Sequence, residues 1–105
     1  MRRDGGSVTV EMALALPAVA VLLALALGAL RWTLDAAVAQ EAAATAARVA
    51  LVEGDEAGAV AGERFSGGRA ALTLTRDGDW WVAVAVMDAP APWPDARATA
   101  RALQP

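Results

Sequence analysis

Between Glu11 and Arg31 the chain carries no charged residue, only Ala, Leu, Val, Met, Pro and Gly. At a rise of about 1.5 Å per residue, the roughly 19 residues from Met12 to Leu30 reach about 28 Å, close to the hydrocarbon thickness of a bilayer. The run predicts one membrane-spanning helix, and everything after it reads as cargo carried by that span. Arg2 and Arg3 precede the run, and cations on that side keep it in the cytoplasm, N-terminus in and C-terminus out. Arg31 and Trp32 mark the far membrane interface, the indole at headgroup depth and the guanidinium in water.

Glu11 is the residue that a plain span does not explain. A carboxylate at the centre of a span costs about 2.5–3.5 kcal/mol, and less toward its edge. A capping box would need Ser or Thr three residues earlier, where Val8 stands. The helix dipole favours an acidic residue in the first turn by roughly 0.3–1 kcal/mol, without specifying Glu here. A free α-amino group, made by cleavage after Gly6, would supply a partner. Glu11 is then the fifth residue of the shortened chain, one helical turn in.

The phrase Gly6-Ser7-Val8-Thr9-Val10-Glu11 before an apolar segment resembles the prepilin-peptidase site of type IV pilins and pseudopilins. Over Gly6 to Pro17 it is similar to TadE-like minor pilins of tight-adherence (Tad/Flp) pilus systems, although Met12 stands where many members carry an aromatic residue. The resemblance is carried by residues 1–50. It implies a leader, residues 1–6, removed after Gly6 by a membrane aspartyl protease, with Ser7 as the new N-terminus. It implies that Glu11 is the assembly carboxylate that pairs with that amine, often in a neighbouring subunit. Pro17 matches a recurrent proline of the apolar segment. The partners implied are a prepilin peptidase, other pilin subunits, the pilus assembly machinery and membrane lipid. The implied location is the cytoplasmic membrane, then the pilus or cell surface.

Beyond the span, Thr33 to Val52 is rich in Ala and free of Gly and Pro, so the helix continues as an amphipathic half, residues 31–53, and stops at Gly54. Leu34, Val38, Thr45, Val49 and Val52, joined by Ala37 and Ala42, form the expected apolar stripe, with Asp35, Gln40, Glu41 and Arg48 as polar positions. Residues 8–53 as one helix would be roughly 65–70 Å long. Pro17 is expected to kink or loosen it, and Gly28 with the alanines offers a smooth face for helix contact.

The remaining residues, 54–105, read as a small extracytoplasmic β unit. A short helix or turn over 55–68 leads to the loop Ser66-Gly67-Gly68. Period-two alternation then runs through 71–75 and 81–86, around Arg76-Asp77-Gly78-Asp79, where Asp-Gly predicts a type I′ hairpin. Asp77 and Asp79 suit turn chemistry far better than calcium, which needs six to eight oxygens. Trp80 and Trp81 fall on opposite faces of their strand. Residues 88–94, with three prolines, form an extended connection. The tail over 95–103 reads as a third strand, with a helix as the alternative. The fold class is therefore α+β: a long N-terminal helix, span plus amphipathic half, with a β-hairpin or three-stranded antiparallel sheet packed on it.

The chain has no Cys and no His, which removes disulfides, the commonest general base and the commonest metal ligand. No catalytic residue, cofactor or metal is expected. A net charge of −3 with no basic stripe points away from nucleic acid. The residues leave three readings: a structural minor pilin or pseudopilin and not an enzyme; a secreted module released after Ala39, because Ala37-Val38-Ala39 is acceptable to signal peptidase; and an unprocessed single-pass anchor.

Overall fold

A computed structural model describes residues 2–104, with side chains from Ser7 onward. Five elements follow in order: α1 (Arg2–Glu53), α2 (Asp55–Phe65), β1 (Ala70–Asp77), β2 (Trp80–Met87) and β3 (Ala96–Leu103). The chain forms two compact units, one ending at Arg31 and the other beginning at Trp32.

In the first unit, α1 is an apolar helix whose residues from Ser7 to Leu27 are all exposed. It runs through Pro17 without a break, although proline offers no N–H to the carbonyl one turn earlier. An apolar helix exposed all round calls for lipid or for other helices as its surroundings. This helix is long and apolar enough to cross a membrane.

In the second unit the C-terminal half of α1 and all of α2 cover one face of a three-stranded antiparallel sheet. Gly54 makes the corner between the helices. Its φ of 95° lies where a side chain is strained. Its N–H donates to the Ala50 carbonyl, and its carbonyl accepts from the Gly58 N–H, so one residue closes α1 and opens α2. Asp55 and Glu56 lie in the first turn of α2 and Arg64 in its last, each matching the helix dipole. Ser66 closes α2: its hydroxyl donates to the Glu63 carbonyl and accepts from the Ala70 N–H.

The sheet has the order β1-β2-β3, with Ala70 opposite Met87 and Met87 opposite Ala96 at one end. The expected third strand is β3. The hairpin turn differs from the expected Asp-Gly type. Asp77 pairs with Trp80, so Gly78 and Asp79 are the two central residues, and among these only Gly78 has positive φ, at 63°. A glycine alone at the first central position is the II′ pattern, whereas I′ would require positive φ at Asp79 as well.

The core is built from alanine. Ala39, Ala42, Ala43, Ala46 and Ala47 of α1 pack with Ala70, Ala83, Ala85, Met87, Ala96 and Ala98 of the sheet. Met87 is the largest fully buried side chain among the described residues. The face of α1 that turns inward matches the expected stripe only in part: Ala42 is in the core and Val38 packs against it, whereas Leu34 is 58% exposed and Val52 85%. The buried positions recur at helical spacing and carry methyl groups.

The closest approach is between α2 and α1. A Cβ placed on Gly58 would lie 2.5 Å from the Ala46 carbonyl oxygen and 2.9 Å from Leu74 Cδ1. On Gly62, one turn later, it would lie 2.9 Å from the Ala42 oxygen and 2.8 Å from Leu72 Cγ. Two glycines four apart thus rest on two carbonyls four apart, with Leu72 and Leu74 of β1 beside them. Gly58→Ala gains about 1 kcal/mol of helix propensity, yet the methyl meets backbone that cannot swing aside. We expect a net loss of about 1–3 kcal/mol, measured by thermal or denaturant unfolding of the full chain in micelles through the tryptophan near-UV signal. Unchanged or raised stability would show that the two helices separate more readily than this packing implies.

Candidate functional site

Ser7 and Glu11 lie on one face of α1, four residues and about 6 Å of rise apart. Both are exposed. Gly6 belongs to the same helix; its surroundings fall outside the described side chains. Among the described residues no cation lies within ion-pair distance of Glu11, the single such pair being Arg69 with Asp35. Glu11 stands at the head of the uncharged run 12–30, with no ion-pair partner among the described side chains.

Arg31 and Trp32, expected at the membrane interface, are adjacent in α1. Arg31 is exposed. Trp32 is half-buried, and its indole Nε1 donates to the Pro94 carbonyl at 2.7 Å. The proline-rich segment is thus tied to α1 at the first residue of the second unit. It is ordered by two further bonds, Trp93 N–H to the Pro90 carbonyl and Ala89 N–H to Asp95 Oδ1 at 3.1 Å. Trp81 shares the core face of β2, with Arg76 stacked 5.4 Å from its ring. Trp80 takes the opposite face.

One pair escaped the sequence reading. Asp35, assigned there to the polar side of the helix, is only 7% exposed, and its Oδ1 accepts from Arg69 Nη2 at 2.8 Å. Asp35 is one turn before Ala39 and shares the buried alanine face, which is the one signal that would have found it. Together the Trp32 and Asp35 contacts pin the first turn of the second unit's helix to the segments that lead into the two edge strands, β3 and β1, at one end of the sheet.

The chain matches no family model, no curated protein and no solved structure.

The Asp35–Arg69 pair is asymmetric. Arg69 keeps 49% of its side chain in solvent, so losing Asp35 leaves a cation that water can solvate. Losing Arg69 leaves a carboxylate buried without its partner. Arg69→Ala should therefore destabilise by about 1–3 kcal/mol and Asp35→Ala by less, with the double variant no worse than Arg69→Ala alone. Unfolding midpoints of the three variants check this ordering. Equal losses from the two single variants would mean that the pair acts as an ordinary surface contact.

Proposed function

We propose that this chain is a structural subunit of the minor pilin or pseudopilin kind, processed after Gly6 and assembled into a Tad/Flp-type pilus or secretion fibre. The observation that carries the reading is Glu11: a lone carboxylate, one turn after Ser7, at the head of an uncharged helix whose side chains are exposed on every side. Prepilin-type cleavage would turn Ser7 into an α-ammonium, and the carboxylate of its own or a neighbouring subunit would neutralise it. Neutralisation lowers the cost of holding either charge against hydrocarbon, and across two subunits it also sets their axial stagger.

In this reading Arg2 and Arg3 hold the leader in the cytoplasm, and the unit beginning at Trp32 lies outside. The partners are a prepilin peptidase, which removes residues 1–6, then other pilin subunits, the assembly machinery and membrane lipid. The role is architectural and no reaction is assigned to the chain. Release after Ala39 fits less well. Ala39 is fully buried within α1, and a cut there would discard Trp32 and Asp35, whose bonds hold the Pro94 and Arg69 segments.

Two experiments test the reading. Mass spectrometry of the membrane-bound protein, made with its own processing machinery, should give a chain beginning at Ser7. An intact leader or a start at Gln40 would overturn the assignment. Glu11→Ala should still insert and be cleaved, while incorporation into sheared fibres falls by at least about tenfold, the equivalent of one well-placed charge interaction. Normal fibres from that variant would refute the role given to Glu11.

A further inference from the structure

The second unit has two layers, with the helices on one side of the sheet and, among the described residues, no helix or strand on the other. Its outer sheet face carries Trp80 and Val84 along the central strand, with Arg97 and Arg101 on β3 beside them. Arg97 pairs with Val86 and Arg101 with Val82, so both cations flank the apolar row. Trp80 is 40% exposed. The opposite surface of the unit, the outward side of α2, carries two carboxylates and one cation, Arg64, one turn after Val60 and exposed as well. Gly58 and Gly62 face α1, which turns Glu56, Val60 and Glu63 to solvent; all three are exposed.

These two surfaces match in chemistry and in spacing. Four residues along β3 place the arginines about 13 Å apart, and seven residues along α2 place the carboxylates about 10 Å apart, within the reach of long side chains. Between each charged pair lies an apolar element, Val84 on the sheet and Val60 on the helix. Two copies of the sheet face brought together would oppose arginine to arginine, and two copies of the helix face would oppose Glu to Glu. Both symmetric pairings are disfavoured by like charge.

We infer that the outer sheet face of one copy takes the outward face of α2 of a second copy, with Arg97 and Arg101 against Glu56 and Glu63. The two patches lie on opposite layers of one unit, so each copy offers both at once. Such a contact is heterologous, and where its rotation does not close it propagates as an open chain. The choice of a second copy as occupant rests on the assembly reading above, and it names the surfaces that reading leaves open.

The chain has no cysteine of its own, which makes crosslinking unambiguous. Full-length copies bearing Thr99→Cys and differently tagged copies bearing Val60→Cys, co-expressed in membranes and oxidised, should give mixed dimers in excess of either homodimer. Arg97→Glu with Arg101→Glu in the Thr99→Cys copy should lower the mixed yield by at least about tenfold. Adding Glu56→Arg with Glu63→Arg to the other copy should restore it, which separates loss of the contact from loss of the fold. Thr99→Cys homodimers in excess, failure of the reversed pair to restore the yield, or no mixed product in chains that begin at Ser7 and assemble normally would each overturn the contact while leaving the processing reading intact. Mixed product in chains that keep their leader would uphold the contact even where that reading fails.

Discussion

The second unit depends on how closely α2 lies on α1. A helix pair whose contact is made by glycine against backbone carbonyl sits closer than leucines would allow, and the distances at Gly58 and Gly62 leave no room for a methyl group. That approach limits the depth available between helices and sheet, in keeping with a core of alanines in which Met87 is the largest fully buried side chain among the described residues. Each buried methyl contributes only about 0.8 kcal/mol, so the unit gains less from hydrophobic burial than a leucine core of equal length would. It relies on close packing, where small shape errors are felt strongly. A fold of this kind tolerates change on its outside and little on its inside.

Packing of methyl groups is poor at fixing register, because one alanine fits where another did. The polar contacts at one end of the unit supply what the core lacks. Trp32 donates to Pro94 and Asp35 accepts from Arg69, and both bonds come from the same turn of helix. Sliding α1 by one residue would break both and would leave a buried carboxylate unpaired. Corner glycine Gly54 limits the same helix at its other end, where its two backbone bonds fasten α1 to α2.

The parts of this architecture that the sequence made legible are those with contrast in hydropathy or in turn chemistry. An uncharged run between Glu11 and Arg31, a stop at Gly54 and two strands of period two around Gly78 all stand out from their neighbours. The inward face of α1 does not, since alanine is neither strongly apolar nor rare here, and Leu34 and Val52 drew the eye to the wrong side. The bond between Asp35 and Arg69 joins residues 34 positions apart, which no local pattern encodes. Type II′ geometry at Gly78-Asp79 was hidden for another reason: Asp-Gly and Gly-Asp overlap in the same four residues, and strand pairing chooses between them. For the candidate site, the spacing of Ser7 and Glu11 was readable, whereas the bond that Trp32 makes was not.

The two stretches of α1 ask opposite things of their surroundings. From Ser7 to Leu27 large side chains are exposed and the helix requires an apolar medium; from Ala39 to Ala50 small ones are buried and it requires a sheet. Satisfying the second within the chain and not the first leaves an object whose most apolar surface is met only outside itself, by lipid or by other helices. Glu11 stands at the head of that exposed stretch, where a carboxylate costs less than at the centre of a span. A fold that closes its small core internally in this way leaves its long apolar surface for lipid or other helices to cover.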